Sequence, residues 1–546
     1  MMTERRWLLV FLALFLGLMF LERPGSWLID PDEPRYAEIP REMLATGDFL
    51  TPRLNGVHYF EKPPLLYWVN AGFIRLGGHN PFAARLAVRL AAVGSAFALL
   101  AGLGAAGSLT GLYAAVIFLS APLAFGLSRV NLTDGLLTFA MTLSLVSVLW
   151  FLRRREANQG TAGPAILLGV SVAAAVMTKG LIGIVFPGLV FLVWVALVGE
   201  WRRVRDLVLS WATPVFFGLA APWFILMEKA NPGFSRFFFI HEHFQRYATS
   251  EAHRPGPVYF FVGLFLVGFL PWTLFLGPAL KRFSRFDRNI FREHREELFY
   301  LLWLAVILLF FSFSHSKLIP YILPVFPAAA ALVALALPRL PDNSRKPFLI
   351  NAIFWTVVLP AGVAFGVKAG ALALYHATGL ALAAAAALVA GSWLAYAFSR
   401  RGLLPAIVAQ LAGLAAFYLV LILALPPVAH ETSLHDLAVV ARAQDAQVAS
   451  FESYAQSFPW DLERTIPVVD YQGELASDGV KDPRIFWTLD TFWQHWKSQE
   501  RWVAILRKDD LSQFKTEGLK QPSVIADNQK YILLANFSPD FHEHKG

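Results

Sequence analysis

Short clusters of Lys and Arg lie in the gaps between long apolar segments of this chain, and they occur at alternate gaps. Cytoplasmic loops of membrane proteins are enriched in Lys and Arg, so this pattern predicts which gaps share one side of a membrane. The remaining gaps must then lie on the other side. The clusters are Arg5 with Arg6, Arg153 to Arg155, Arg202 to Arg205, Lys281 to Arg295, Arg339 to Lys346, and Arg400 with Arg401.

The composition is that of a membrane protein. Of 546 residues, 56% are hydrophobic and 16% are charged, and the mean hydropathy is +0.51, which excludes a soluble globular chain. A hydrocarbon core about 30 Å thick needs roughly 20 apolar residues per helix, and such segments recur. We predict a polytopic α-helical protein with about thirteen spans, a cytoplasmic N-terminus and an external C-terminus. The predicted spans are residues 7–22 (a signal anchor), 82–107, 110–127, 132–152, 162–178, 180–199, 207–227, 257–279, 298–314, 318–338, 348–368, 373–397 and 403–424.

Beyond residue 428 the composition changes to that of a small external α/β domain. Residues 429–546 contain 12 Lys and Arg against 18 Asp and Glu, whereas residues 1–428 contain 35 against 21. The high isoelectric point therefore reflects membrane orientation, and nucleic-acid binding is not expected. Residues 447–451, 502–506 and 531–534 have strand character. Four tryptophans are expected in the core, with contact to the membrane surface as the alternative: Trp487, Trp493, Trp496 and Trp502.

The first external loop, about residues 23–81, begins with an acidic motif. A helix is predicted to start near Pro34 and to end near Ala45, because proline suits a first helical turn. Acids at this helix start are explained in part by capping and by the helix dipole. Four acids with two interleaved arginines exceed what one cap needs, so a site for a cationic group, a divalent metal or a proton is the functional interpretation. The residues are Asp30, Asp32, Glu33, Glu38, Arg35 and Arg41.

Later in the same loop comes the sequence Glu61-Lys62-Pro63-Pro64. A helix that begins at Pro63 or Pro64 would direct free backbone N–H groups toward Lys62, which is a favourable environment for a phosphate. The alternative is a lysine that anchors an interfacial helix with its charged end in water.

Three later external positions favour a phosphate site. Lys179 lies between two spans without a polar loop, and a charge at that depth is costly and usually functional. Arg246 follows an aromatic loop and can bind phosphate through two nitrogens, whereas His241 and His243 make an incomplete zinc site. Lys317 and Tyr321 occupy another charged turn, and Asp134 adds an acid at the outer end of the fourth span.

These segments resemble the lipid A aminoarabinose transferases, membrane glycosyltransferases of the GT-C class. The resemblance includes the motif at residues 30–38, residues 61–64, residues 242–244, and Ser316-Lys317 ahead of residues 321–324. It implies transfer of 4-amino-4-deoxy-L-arabinose from undecaprenyl phosphate to a lipid A phosphate at the periplasmic face of a Gram-negative inner membrane. It also implies resistance to polymyxin and cationic antimicrobial peptides.

The resemblance also assigns roles to individual residues. Lys62, Arg246 and Tyr321 match positions that hold the carrier phosphate. Asp32, with Glu61 and Lys62, is expected to be catalytic, and Arg35, Tyr36 and Tyr59 are expected to bind substrate. Lys179 is added to the substrate-binding positions because of its depth between two spans. The expected partners are the undecaprenyl-phosphate-linked sugar, lipid A and membrane lipids.

No cofactor is expected to be required, and a divalent metal at the acidic loop is the alternative. One alternative function is a protein O-mannosyltransferase, whose hydroxyl acceptor needs a carboxylate base. Another is a lipid-carrier transporter without chemistry, which would place charges at mid-depth in several spans. The charges here cluster near the outer face instead.

Overall fold

The computed structural model describes residues 2–104, 109–245, 256–284, 287–341, 344–368, 378–471, 473, 475, 482–514 and 521–538. The chain forms two compact units. The helical unit comprises Met1–Glu22, Phe60–Leu66 and Arg85–Ala424, and the mixed unit comprises Arg23–Tyr59, Tyr67–Ala84 and Leu425–Gly546.

Helices make up nearly all of the helical unit. Its first members are α1 (Met2–Phe20), α4 (Pro81–Gly104), α5 (Leu109–Ser120), α6 (Pro122–Leu127), α7 (Thr133–Glu156), α8 (Ala162–Lys179), α9 (Ile182–Val198), α10 (Arg202–Val208) and α11 (Ala212–Ala230). They are followed by α12 (Phe260–Gly268), α13 (Gly277–Arg282), α14 (Arg288–Glu293), α15 (Arg295–Phe313), α16 (Phe326–Ala336), α17 (Lys346–Lys368), α18 (Thr378–Phe398) and α19 (Leu403–Thr432). A π-helix spans Arg236–Gln245, and 3₁₀-helices span Trp272–Phe275, Ile319–Val325 and Leu337–Arg339.

The length and apolar composition of these helices identify a polytopic helical membrane protein. Within the described residues, eight helical segments are long and apolar enough to cross a membrane, or up to ten if each of two bent pairs is one span. Two shorter apolar helices, α5 and α9, also occur. Each of the thirteen predicted segments contains a helix, and the count of thirteen spans stays a prediction.

Ion pairs join the basic clusters at one end of the helical unit. Arg153 bonds Glu296 at 2.6 Å, and Arg295 bonds Glu156 at 2.6 Å, so the ends of α7 and α15 lie together. Further pairs of the same kind are Arg203–Glu156, Arg155–Asp206, Arg282–Glu297 and Arg339–Glu297. Four of the basic clusters, centred near residues 154, 203, 288 and 340, therefore share one end of this unit, as the charge pattern predicts.

The mixed unit is built around a six-stranded sheet. Its strands are β3 (Gln447–Phe451), β4 (Val468–Val469), β5 (Phe486–Trp487), β6 (Trp502–Arg507), β7 (Ser523–Asp527) and β8 (Tyr531–Ala535). They lie in the order β5-β4-β3-β6-β8-β7, in which the first four run parallel and β8 is antiparallel to both β6 and β7. The helices are α20 (His435–Ala443), α21 (Ser457–Leu462) and α22 (Leu489–Trp496), with a 3₁₀-helix at Lys508–Gln513.

Both faces of this sheet are covered, as is usual for parallel strands. Along β6, Val503 and Ile505 pack into one core, whereas Ala504 and Leu506 pack into the other. The second core contains Trp496 and Trp502, and Trp487 and Trp493 pack against it. The prediction that the tryptophans form a core is confirmed, and so are the three predicted strands.

The first loop contributes helix α2 (Asp32–Thr46), a hairpin of β1 (Arg53–Leu54) and β2 (Val57–His58), and helix α3 (Leu65–Gly77). Asn55 and Gly56 form the hairpin turn, and both have positive φ, the conformation that a two-residue hairpin turn requires. Helix α2 ends at Gly47, which adopts the left-handed conformation typical of a helix end. The predicted helix of the acidic motif is confirmed and starts two residues earlier than expected.

Candidate functional site

A buried ion pair links the start of α7 to the end of α8. These helices are antiparallel neighbours, joined by five residues and bonded at mid-height through Ser144 and Ser171. Asp134 is in the first turn of α7, and Lys179 is the last residue of α8, so each charge complements its helix dipole. Lys179 Nζ donates to Asp134 Oδ1 at 2.5 Å, and each side chain is only 9% exposed.

Tyr321 covers the same ammonium group. Lys179 Nζ lies 4.7 Å from the centroid of the Tyr321 ring, within cation–π range. Tyr321 belongs to the short helix Ile319–Val325, and its ring contacts Phe311 of α15. Three segments that are distant in sequence thus meet at one cation.

Lys317, in the turn before Tyr321, has a different environment. Its Nζ donates to the carbonyl oxygens of Phe311 and Ser312, at 3.1 and 2.7 Å, and so caps the end of α15. Desolvation lowers the pKa of Lys317. Both hydrogen bonds of the Lys317 ammonium group are thus those of a residue that caps a helix end.

Lys62 and Glu61 form a close pair in the helical unit. Lys62 Nζ lies 3.6 Å from the Glu61 carboxylate and donates to the Glu61 carbonyl at 2.9 Å. The adjacent Phe60 ring packs against Phe234, which precedes the π-helix, and against Phe237, which lies in its first turn. The predicted helix after the two prolines begins at Leu65, so Lys62 lies three residues before a helix start.

Asp32 and Arg35 form a second pair, in the mixed unit. Arg35 Nη1 donates to Asp32 Oδ1 at 3.1 Å across one turn of α2. The Asp32 side chain is 49% exposed, whereas that of Arg35 is 12% exposed. Arg35 thus holds a carboxylate that stays accessible.

The neighbouring acids serve the fold. Glu33 accepts from the backbone of Ile29 at 3.0 Å and closes the turn before α2. Glu38 is fully buried and bonds Arg41 through both oxygens, and Glu42 accepts from the backbone of Gly56. Burial raises the pKa of both Glu38 and Glu42. These contacts support the structural interpretation for Glu33 and Glu38.

Three further residues were predicted to bind substrate, and the structure describes two of them, both buried. Tyr36 is buried and stacks on Tyr67, and Tyr59 is buried next to the hairpin. Arg246 lies outside the described residues. The roles of all three in substrate binding stay predictions.

No group of three or more His, Asp or Glu residues is arranged to hold a metal ion in the part of the chain that the structure describes. The expectation that no cofactor is required, and the alternative of a divalent metal at the acidic loop, both stay predictions.

Asp134 is not among the site residues expected from the sequence, although it pairs with Lys179, which is one of them. The sequence feature that could have identified it is an acid in the first turn of an apolar span. Its partner Lys179 lies 45 residues away in the sequence. Two adjacent antiparallel spans place such residues together, so the pairing follows once the helix order is known.

Two protein families match this chain. Residues 6–284, just over half of the chain, match the family described as dolichyl-phosphate-mannose-protein mannosyltransferase. Residues 437–536 match the family described as aminoarabinose transferase C-terminal domain.

Curated relatives carry the name undecaprenyl phosphate-alpha-4-amino-4-deoxy-L-arabinose arabinosyl transferase. The protein of Edwardsiella ictaluri is 34% identical over 64% of this chain and 63% of its own length. That of Proteus mirabilis is 32% identical over 69% of this chain and 67% of its own length. The match thus spans less than two thirds of the Edwardsiella relative.

A solved structure covers nearly the whole chain. ArnT of Cupriavidus metallidurans bound to undecaprenyl phosphate is 29% identical, has a TM-score of 0.86, and aligns over 97% of this chain and 98% of its own. The apo form of that protein has a TM-score of 0.83.

Proposed function

This chain belongs to the family of undecaprenyl phosphate-4-amino-4-deoxy-L-arabinose arabinosyl transferases, and on that premise we propose that it transfers 4-amino-4-deoxy-L-arabinose from undecaprenyl phosphate to a phosphate of lipid A. The names of the relatives support the donor, and so does the undecaprenyl phosphate bound to the Cupriavidus protein. The acceptor rests on the family resemblance.

The proposed reaction moves one glycosyl group between two phosphates. An oxygen of the lipid A phosphate forms a bond to the anomeric carbon, while the bond from that carbon to the undecaprenyl phosphate oxygen breaks. The electron pair leaves with undecaprenyl phosphate, which becomes a monoester, and the acceptor phosphate becomes a diester. The nucleophile is already anionic at neutral pH, so the step needs no proton transfer.

The observation that best supports this chemistry is the Lys179 ammonium between Asp134 and Tyr321. A lysine has three N–H donors, and one bonds Asp134. The carboxylate and the ring hold the ammonium in place, so a further donor can bond a phosphate oxygen without reorganisation. Fixed cations of this kind stabilise the charge that develops on a leaving phosphate.

Lys62 and Arg246 are proposed to share the carrier phosphate with this group. Lys62 already lies beside a carboxylate, so its ammonium is held close to the chain at a defined place. Asp32 is proposed to bind the ammonium of the aminosugar and to stabilise positive charge at the anomeric carbon, which its 49% exposure permits.

The proposed location of the site is the periplasmic side of a Gram-negative inner membrane. In α7, Asp134 and Arg153 are separated by 19 residues, or about 28 Å at 1.5 Å per residue. That distance is close to the hydrocarbon thickness of about 30 Å. With the basic network on the cytoplasmic side, Asp134 and Lys179 lie at the periplasmic surface, and the C-terminal α/β domain is proposed to be periplasmic as well.

Resistance to polymyxin and other cationic antimicrobial peptides is the proposed consequence. Adding an aminosugar to a phosphate introduces a positive charge and converts a monoester into a diester with less negative charge. A cationic peptide then meets a weaker electrostatic attraction at the lipid A surface.

Mass spectrometry of lipid A tests the proposal. The chain is expressed in a Gram-negative strain that makes the donor but has no transferase, next to Lys62→Ala and the control Lys229→Ala, which changes an exposed lysine of α11. We expect lipid A to gain one aminoarabinose with the wild type and the control and not with Lys62→Ala. Unmodified lipid A despite membrane expression of the wild type would refute the acceptor.

A protein O-mannosyltransferase is the second candidate, because residues 6–284 match the mannosyltransferase family. It would leave lipid A unmodified and would add hexose to secreted proteins of the same strain. Intact-protein mass spectrometry of the periplasmic fraction separates the two functions.

A further inference from the structure

Four polar contacts within the mixed unit join the first loop to segment 457–466, which runs from the start of α21 to the residue two before β4. Each contact involves a different residue of the first loop, and the four are spread over residues 30–79. Directional hydrogen bonds fix orientation as well as distance, unlike the apolar contacts of the two sheet cores.

The first contact fixes the residue two positions before Asp32. The Asp30 carboxylate accepts from the backbone N–H of Ser457 at 3.1 Å and from its hydroxyl group. The Glu33 carboxylate accepts from the backbone N–H of Ile29, so the two ends of the turn at residues 29–33 are bonded to each other. Asp32 lies inside this closed turn.

The second contact holds the hairpin that follows α2. Asn55 Nδ2 donates to the Ile466 carbonyl at 2.8 Å, and Asn55 Oδ1 accepts from the Ile466 N–H at 2.9 Å. Asn55 is fully buried, and its φ of 54° lies in the left-handed region. The next residue, Gly56, donates to Glu42, so the hairpin is bonded both to segment 457–466 and to α2.

The remaining two contacts involve Trp460 and Glu463, which lie between Ser457 and Ile466 in segment 457–466. Arg41 bonds Glu38 through two nitrogens and donates its third to the Glu463 carbonyl at 3.0 Å. The His79 ring stacks on Trp460 at 3.6 Å, and its Nε2 lies 3.0 Å from the Trp460 carbonyl oxygen. Helix α2 is therefore attached before its start, in its third turn and through the hairpin after its end, and three separate attachments define the position of a rigid helix.

We propose that segment 457–466 is a positioning element for helix α2, which sets the place of the Asp32 carboxylate and the Arg35 guanidinium for sugar transfer. The inference rests on the proposed function, and it gives the C-terminal domain a part in the reaction. Ser457 and Asn55 are positioning residues: they act through α2, and the side chain that stays half exposed is Asp32. A displacement of a reacting group by about 1 Å can reduce turnover about 10²-fold.

The test uses the full chain in lipid nanodiscs. Ser457→Ala removes the hydroxyl donor, and Asn55→Gly removes the paired amide while keeping a residue that tolerates positive φ. Ser498→Ala is the matched control, because Ser498 caps a helix end of the same domain through His495 and belongs to none of the four contacts. Turnover, the KM for the lipid-linked donor, and amide hydrogen exchange in residues 33–46 are measured for each chain.

We expect both test variants to lower kcat about 10-fold with a donor KM within about 2-fold of wild type, and to speed exchange in residues 33–46 about 10-fold. The control should change none of the three quantities. Unchanged exchange would show that the contacts do not hold α2, and faster exchange with unchanged kcat would show that α2 needs no positioning; either result overturns the inference. A wild-type chain without any transfer would overturn the proposed function instead, and the exchange data would still decide whether segment 457–466 holds α2.

Discussion

Replacing Lys179 with Met tests whether the buried ion pair belongs to the site or only to the fold. Methionine keeps most of the apolar stem and removes the ammonium. The change leaves the Asp134 carboxylate, 9% exposed, without the cation that lies 2.5 Å away in the wild type. Asp134→Asn is the complementary change, and the double variant removes both charges.

The expected stabilities follow from the cost of an unpaired buried charge. Removing one partner of a buried ion pair typically costs about 3–5 kcal/mol, whereas replacing both with neutral groups is often close to neutral. Each charge also complements a helix end, a contribution of about 0.3–1 kcal/mol that the double variant loses. We therefore expect each single variant to lose about 3 kcal/mol and the double variant about 1–2 kcal/mol.

The assay combines the free energy of unfolding in detergent with the rate of sugar transfer to lipid A. The double variant should recover stability but not activity, because a fixed cation near a leaving phosphate typically contributes about 10²-fold or more to the rate. If the double variant recovers both, the pair is structural and the proposed role of Lys179 is wrong. If Lys179→Met is as stable as the wild type, the charge on Asp134 is not buried as described.

Two further predictions concern the acids of the first loop. Asp32→Asn should abolish transfer with little loss of stability, whereas Glu38→Gln should destabilise α2 because Glu38 is buried against Arg41; transfer and thermal unfolding of both variants separate the roles, and equal activity of wild type and Asp32→Asn would remove Asp32 from the mechanism. Burial, with the nearby Asp461 charge, raises the pKa of Asp30 from 3.8 to about 7, so the folded state binds a proton that the unfolded state releases. Stability should therefore fall as the pH rises from about 4 to about 7, by at most roughly 4 kcal/mol from this group. Glu38 and Asp461 act in the same direction, so the quantity to measure is the difference between wild type and Asp30→Asn in unfolding curves across that range; parallel curves would contradict the assignment.

Local features of this fold could be predicted because they depend on neighbours in sequence. The strand at Gln447–Phe451, the helix at the acidic motif and the apolar segments each follow from composition over a few residues. The shared end of the basic clusters also followed, since a membrane imposes one side on all of them.

The division of labour among the acids could not be predicted. Asp30, Asp32, Glu33 and Glu38 lie within nine residues and look equivalent in the sequence. Their environments differ because Ser457, Ile29 and Arg41 bond three of them, and Ser457 is 427 residues away. Only the packed structure distinguishes a carboxylate that holds a turn from one that stays half exposed.

The ion pairs of Asp134 and Asp32 favour an acceptor that is already anionic over a hydroxyl acceptor, which must lose a proton. Asp134 is bonded to Lys179, and Asp32 is bonded to Arg35. A carboxylate that takes up a proton from a hydroxyl loses its charge, and the ion pair then loses most of its electrostatic attraction. A lipid A phosphate brings its own negative charge and makes no such demand, so both pairs can persist through the reaction. The Lys179 ammonium, which would hinder a general base at Asp134, would stabilise the phosphate charge of the proposed transfer.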